Sequence, residues 1–148
     1  MKIKVEKIDM TDPRYEQERA LRNEVLLRPI GLPDFGWEMK DGASMHFIAY
    51  DQDAENQNVV GCVLLHQLSD ISVGQLMQMA VKSNLQRAGI GKKMVQALLN
   101  EARSAGLKQV FCHAREQAIP FYSLCGFIES GAYFEEVGIK HVKMAISL

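Results

Sequence analysis

The chain has 148 residues, of which 47% are hydrophobic and 24% charged, and its 17 Lys and Arg against 18 Asp and Glu give a formal net charge of −1. This length and composition are typical of one globular domain, and they exclude a disordered, collagen-like or low-complexity chain. The balanced charge does not provide the basic surface typical of duplex-binding proteins, so we expect no nucleic-acid partner.

The cellular compartment is predicted from the lack of a long apolar run and from the small number of cysteines. No apolar run approaches the ~18 residues of a membrane span, and residues 1–8 alternate charged and apolar side chains instead of forming a signal-peptide core. Three cysteines (Cys62, Cys112 and Cys125) without C-x-x-C spacing predict reduced thiols. We therefore expect a cytoplasmic protein that has no membrane partner. The four histidines include no pair at metal-ligand spacing, so we also expect no metal.

The first third of the chain predicts a strand, a helix and a loop. Residues 2–8 alternate in the manner of a strand, and Asp12-Pro13 then marks the start of a helix over 14–27. Residues 29–42 hold two Pro, three Gly and the only tryptophan, Trp37. This composition predicts a loop with room for one short helix.

Three strands are predicted next. Residues 45–50 and 58–67 flank the polar turn 51–57 and form an antiparallel hairpin. A second turn at 70–73 leads into a strand over 75–81.

The second half begins with the clearest helix, over 89–104, whose apolar residues recur at helical spacing. Gly106 stands where a left-handed C-terminal cap is expected. The remaining predicted elements are a strand over 109–114, a helix over 117–124, and strands over 127–134 and 139–147. This order predicts a mixed α/β domain in which residues 75–114 form a right-handed parallel crossover.

The segment 84–93, here called the glycine turn, predicts an anion site. Gly89 and Gly91 carry no side chain, so backbone N–H groups can approach an oxygen-rich ligand, and the first turn of the following helix leaves its donors unpaired. Arg87, Lys92 and Lys93 add positive charge. The expected guest is a phosphate or pyrophosphate, and the alternative is a turn that binds no ligand.

Two familiar phosphate motifs do not fit the glycine turn. A P-loop would need Gly at 86 and Ser or Thr at 93, where this chain has Gln86 and Lys93. A dinucleotide fingerprint would need a third Gly at 94, which is Met94.

The motif Gln86-Arg87-Ala88-Gly89-Ile90-Gly91 resembles the Gln/Arg-x-x-Gly-x-Gly/Ala signature of the GNAT superfamily of acyl-CoA-dependent N-acyltransferases. Residues 118–127 resemble that superfamily's A-x-x-FY-x-x-x-GF segment, and residues 134–144 resemble the closing strands of a small bacterial subgroup. Over residues 75–148 the resemblance is one of sequence motifs. Over residues 1–74 it is limited to the order of the predicted elements. It implies a GNAT-like fold over 1–148: a mostly antiparallel sheet with a parallel β-α-β crossover splayed to hold CoA, flanked by helices.

The implied activity is an N-acetyltransferase that moves an acetyl group from acetyl-CoA, its co-substrate, to a primary amine by direct attack in a ternary complex. The acceptor is a small molecule or a peptide, and a homodimer is left open. A non-catalytic acyl-CoA-binding or sensor module on the same fold is the alternative. A nucleotide-phosphate enzyme that uses the same turn is a weaker third hypothesis.

The resemblance also implies the cofactor-binding residues. The pyrophosphate would rest on the glycine turn, and the pantetheine arm would pair with the strand, where an N–H near Met79 would stabilise the thioester oxyanion. Arg115 stands where many relatives carry Asn, and it would reach the cofactor 3′-phosphate or a substrate carboxylate, or remain a solvated strand-end charge. Phe121 would contact the cofactor or the core. The complete set implied is Met79, Ala80, Val81, Gln86, Arg87, Ala88, Gly89, Ile90, Gly91, Lys92, Arg115 and Phe121.

The implied catalytic residues are Tyr122 and His141. Tyr122 matches the tyrosine that protonates the leaving thiolate, since phenol and thiol pKa values lie within about two units of each other. A packed aromatic is its alternative reading. His141 is the first of four candidate bases, and the others are Glu136, His113 and Glu24.

The acceptor wall is expected from residues 14–27 and the loop 29–42, with Arg22, Arg28, Phe35 and Trp37 as candidates. Cys125 is disfavoured as an acyl-carrying nucleophile because no His–acid pair is spaced to activate it.

Overall fold

A computed structural model describes all 148 residues, and eight of its segments are strands of one sheet. Two predicted strands start earlier than expected, at Ser44 and Val73, while the strand predicted from residue 58 begins at Val59. The strands are β1 (Ile3–Ile8), β2 (Ser44–Asp51), β3 (Val59–Gln67), β4 (Val73–Val81), β5 (Gln109–Arg115), β6 (Ile128–Glu129), β7 (Phe134–Glu136) and β8 (Ile139–Ser147).

Three helices accompany the sheet: α1 (Tyr15–Arg22), α2 (Ile90–Ser104) and α3 (Ile119–Leu124). The helix predicted over 14–27 is confirmed, but its last part, Asn23–Leu27, widens into a π-helical turn. Short 3-10 turns occur at Arg28–Ile30, Asp41–Ala43, Ser83–Leu85 and Glu116–Ala118. None of the helices combines the length and apolarity that crossing a bilayer requires.

Helix α2 buries the apolar stripe that its sequence predicts. Its buried residues are Ile90, Met94, Val95, Leu98, Leu99 and Ala102. They join Val63, Leu65 and other strand residues in a core of 19 buried residues. Gly106 has φ of +84° and ends the helix in the expected left-handed conformation.

The opposite face of the sheet packs against α1. Because side chains alternate along a strand, Cys62 and Ala80 lie on the face opposite Val63. They form a second core with Tyr15 and Leu21 of α1. The sheet is therefore covered on both faces.

The spatial order of the strands is β1-β2-β3-β4-β5-β8-β6, with β7 also paired to β8. Only β4 and β5 run parallel, and their pairing is limited to Val73 with Gln109, Gly74 with Val110, and Gln75 with Phe111. Beyond Gln75 the two strands separate. The expected mostly antiparallel sheet with one splayed parallel pair is confirmed.

The single strand predicted over 127–134 is wrong. The chain instead makes two short strands, β6 and β7, which both pair with β8. Ser130 leaves the ladder after donating its N–H to the Lys143 carbonyl at 2.7 Å, and Gly131 turns the chain with φ of +101°. The predicted eight-residue strand is therefore divided into two short ones by this turn.

Candidate functional site

A cavity of about 730 Å³, here called the cleft, lies where β4 and β5 separate. Strands β4 and β5, the π-helical turn, residues 37–40, the start of β8 and α3 all contribute to its wall. Five residues implied by the resemblance line it: Met79, Gln86, Arg115, Tyr122 and His141.

Tyr122 reaches the cleft from α3. Tyr122 is 7% exposed, and its ring packs edge-on against Phe121 and Phe127 at centroid distances of 5.1 and 5.6 Å. Burial raises the pKa of the Tyr122 phenol well above its usual range. The side chain therefore remains a neutral proton donor at physiological pH.

His141 lies near the start of β8, opposite Arg115 in the ladder. Its ring stacks on Phe134 at 5.8 Å, and its Nδ1 lies 2.7 Å from the carbonyl oxygen of Ile139. A carbonyl can only accept, so Nδ1 carries the hydrogen. In the neutral ring, Nε2 is then a free acceptor.

His113 and Glu136 form a pair at the same end of the cleft. Nδ1 of His113 lies 3.0 Å from Oε2 of Glu136. His113 is exposed whereas its neighbour Cys112 is buried, which confirms that the two residues face different surroundings. Glu24, the remaining candidate base, is exposed and does not line the cleft.

The glycine turn leads from the cleft to the N-terminus of α2. Gly89 is the N-cap, with φ of +83°, and no side chain caps the helix. Its first N–H groups are therefore available to a ligand. Arg87, Lys92 and Lys93 are all exposed, so three positive charges surround these donors.

Other predicted cofactor residues do not line the cleft. Ile90 is buried in the α2 core and Ala80 in the α1 core, so only their backbones can serve a ligand. Phe121 lies against Gly91, where a Cβ would come within 3.2 Å of its ring. Phe121 is thus a packing partner of the glycine turn, and Val81 is likewise absent from the cleft wall.

Both segments predicted for the acceptor wall, 14–27 and 29–42, contribute to the cleft, but three of the four named candidates do not line it. Of its four candidates, Trp37 lines the cleft. Arg22 is 2% exposed and bonds to Asp41, so it faces the protein interior. Arg28 pairs with Asp34 on the surface, and the Phe35 ring lies under Arg19 at 4.3 Å.

One group of side chains has the composition of a metal site. The ligand atoms of Glu18, Asp41 and His46 lie within 4.8 Å of one another and are buried. Arg22 and Tyr15 already bond to Asp41, and both nitrogens of His46 have oxygen partners. The guanidinium of Arg22 supplies the positive charge that a cation would otherwise bring.

Gln78 is a lining residue that the sequence reasoning missed. Strand β4 has a bulge here, since Cys62 pairs with Ala80 while Leu64 pairs with Met77. Gln78 has φ of +56°, and its side-chain Oε1 is buried without a hydrogen-bond partner. Val25 and Leu26, on the π-helical turn, also line the cleft; they lie in the segment 14–27 predicted for the acceptor wall but were not among its named candidates.

Comparison with known proteins gives a family match. The model of the acetyltransferase (GNAT) domain matches residues 13–148. Among solved structures, an acyl-CoA N-acyltransferase from Pseudomonas aeruginosa has a TM-score of 0.80 at 17% identity, covering 97% of this chain and 98% of that one. Escherichia coli ElaA has a TM-score of 0.81 at 19% identity, with 97% and 98% covered.

A third similar structure is an aminoglycoside 6′-N-acetyltransferase complexed with coenzyme A. Its TM-score is 0.81 at 17% identity, and the match covers 97% of this chain and 96% of that one. At these identities the likeness is one of fold.

Proposed function

Because the chain belongs to the GNAT acetyltransferase family, we propose that it transfers an acetyl group from acetyl-CoA to a primary amine of a small molecule or peptide, by direct attack in a ternary complex. One observation carries the proposal. The cleft between the diverging parallel strands is lined by a buried phenol and a histidine, and it leads to an uncapped helix N-terminus. We also propose that the protein is located in the cytoplasm.

Acetyl-CoA fits this arrangement from one end to the other. Its pyrophosphate would accept hydrogen bonds from the first turn of α2, where the helix dipole and Lys92 favour negative charge. Its pantetheine amides would pair with the backbone of β4 from Met79 to Val81, which has no partner strand on the β5 side there. Arg115 would contact the 3′-phosphate.

The acceptor amine needs a group that takes its proton. His141 supports this role because its Nδ1–H is committed to the Ile139 carbonyl, which leaves Nε2 as the acceptor. The amine nitrogen attacks the thioester carbon, a C–N bond forms, and the proton lost from nitrogen goes to Nε2 of His141.

The leaving thiolate then needs a proton. As the C–S bond breaks, the electron pair stays on sulfur, and Tyr122 would donate its phenolic proton to it. The same surroundings raise the pKa of the Cys112 thiol to about 12, first of all by burial. A CoA thiolate released in this setting would also be more basic than in water, so burial shifts the proton donor and the proton acceptor in the same direction and keeps their pKa values comparable.

Direct attack is favoured over an acyl-enzyme intermediate. A cysteine nucleophile must be ionised. Burial raises the pKa of Cys125 above its usual value, and only the more weakly acting charge of Lys92 opposes this. Cys62 is fully buried and its pKa is also raised by desolvation.

The test is release of free CoA thiol from acetyl-CoA in the presence of a panel of amines: L-lysine, spermidine, phenethylamine, L-phenylalaninamide and Nα-acetyl-lysinamide. We expect amine-dependent thiol release and a thermal shift with CoA that ATP does not give. Tight CoA binding without turnover of any amine favours the sensor module instead. A protein that neither binds nor consumes acetyl-CoA overturns the proposal.

A further inference from the structure

Gln78 combines two unfavourable features at one position in the cleft wall. Its backbone adopts φ of +56°, a left-handed conformation that a non-glycine side chain rarely adopts. Its Oε1 is the one buried side-chain oxygen or nitrogen in the chain that lacks a hydrogen-bond partner. Strain and unsatisfied acceptors of this kind concentrate where a ligand completes the structure.

The bulge explains how this residue comes to line the cleft. Between the pairs Cys62–Ala80 and Leu64–Met77, only Val63 of β3 stands opposite two residues of β4, Gln78 and Met79. A bulge of this kind redirects side chains beside an active site. Gln78 thereby joins the wall that also contains Tyr122 and His141.

The charges around the cleft restrict which groups can donate a hydrogen bond to the amide oxygen of Gln78. Glu136 is the only carboxylate in the wall, and His113 already donates to it. Lys40 and Arg115 also line the cleft and form no ion pair. The wall therefore offers a protonated ammonium no unpaired carboxylate, and with Arg115 assigned to the cofactor phosphate, Lys40 remains as an unpaired positive charge that opposes it.

We propose that Gln78 is a substrate-binding residue, whose Oε1 accepts an N–H from the neutral acceptor amine, and that the cleft favours amines of low basicity such as an α-amino group. The inference rests on the proposed function. A neutral amine has two N–H groups and one lone pair. With one N–H donated to Gln78 and the other to His141, the lone pair is directed at the thioester carbon.

An amide serves this purpose better than a carboxylate. A carboxylate would stabilise the ammonium form, which cannot attack, whereas the amide oxygen accepts a hydrogen bond without adding charge. An α-amino group has a pKa near 7.7–8.0 and a lysine side chain about 10.4, so at neutral pH the α-amino group supplies far more of the neutral form.

The experiment compares Gln78→Met, Gln78→Glu and Gln78→Gly with wild type, using L-phenylalaninamide as the α-amino probe and Nα-acetyl-lysinamide as the ε-amino probe. Gln78→Met should raise the KM for L-phenylalaninamide about 2- to 10-fold, the loss expected for one neutral hydrogen bond. The KM for acetyl-CoA should stay unchanged. Gln96→Met, on the exposed side of α2, is the matched control.

The other two variants separate binding from folding. Gln78→Gly should raise the KM for the amine equally without lowering Tm, because glycine adopts the left-handed conformation without strain. Gln78→Glu should shift the pH profile of kcat to higher pH, since the added carboxylate raises the pKa of the bound amine. A purely structural role predicts no such shift.

The outcomes distinguish the two proposals. Suppose that wild type releases thiol with amines, and that Gln78→Met and Gln78→Gly have the same KM for L-phenylalaninamide as wild type. This result overturns the inference about Gln78 and leaves the proposed function intact. A rise in the KM for acetyl-CoA instead assigns the oxygen to a pantetheine amide and also overturns it. Preference for Nα-acetyl-lysinamide overturns the substrate class. A wild-type protein inactive with the whole panel overturns the proposed function first.

Discussion

His46 lies 2.8 Å from Glu18 through its Nδ1, and both side chains are buried. Its other nitrogen, Nε2, lies 2.8 Å from the carbonyl oxygen of Asp41. Both partners are acceptors, so both nitrogens donate and the ring is an imidazolium. Arg22 bonds to Glu18 and Asp41 at 3.2 and 2.8 Å, so two buried cations balance two buried anions.

This balance makes Glu18 important for stability. We expect Glu18→Gln to lower the free energy of unfolding by about 3–5 kcal/mol, because it leaves a buried positive charge without its partner. Urea unfolding measures the effect. Glu16→Gln is the matched control, since the Glu16–Arg19 pair is exposed and should contribute under about 1 kcal/mol. Equal effects of the two substitutions would contradict the charge balance.

The pH dependence of stability should report on His46. Burial opposes the charged ring, but hydrogen bonds to Glu18 and to the Asp41 backbone, with the nearby carboxylate charges, outweigh it and raise the pKa of His46. Because the folded pKa lies above the unfolded value of about 6.5, the stabilisation is complete below that pH and is lost as pH rises through the folded pKa. The stability difference between wild type and His46→Gln should therefore shrink as pH rises. A difference that grows with pH would show that the ring is neutral.

Substitution of Gly89 tests the glycine turn, and the same substitution at Gly106 is its control. Gly89 and Gly106 flank α2 with φ of +83° and +84°, and neither would clash with a Cβ. Alanine at either position should cost about 1–2 kcal/mol of stability from left-handed strain. Only Gly89→Ala should also raise the KM for acetyl-CoA, by about tenfold, because the added methyl group keeps the pyrophosphate from close approach to the backbone donors and weakens a hydrogen bond to a charged group. Equal KM values for acetyl-CoA in the two variants would show that the pyrophosphate does not bind at this turn.

Tyr122→Phe should lower kcat by about 10²-fold or more, because it removes the proton donor while keeping the packed ring. Affinity for CoA, measured by titration calorimetry, should hardly change. Tyr50→Phe is the control, since the Tyr50 hydroxyl donates to Glu6 away from the cleft. Full activity of Tyr122→Phe would leave this residue a role in packing only.

His141→Gln should lower kcat/KM by about 10²-fold if Nε2 accepts the amine proton. His66→Gln is the control, because His66 lies on β3 and does not line the cleft. Initial rates with the preferred amine of the panel give the comparison. Loss of activity in both variants would point to a general effect on folding.

The sequence predicts well what depends on periodicity within one element. The stripe of α2 and the left-handed Gly106 need only local spacing, and both are confirmed. Arg22 was misassigned to the acceptor wall because its partner Asp41 lies 19 residues away, in a loop whose path the sequence does not predict. The bulge at Gln78 was missed because glutamine, unlike glycine or asparagine, gives no sequence signal of a left-handed residue.

The divergence of β4 from β5 has a consequence for association between molecules. Exposed strand margins commonly recruit foreign chains and seed aggregates. Here the unpaired stretch lies inside the sheet, with a neighbouring strand on either side, so only a guest narrow enough to enter between those strands can pair with its amides. The protein thus keeps a row of main-chain groups ready for pairing without presenting them to other polypeptides.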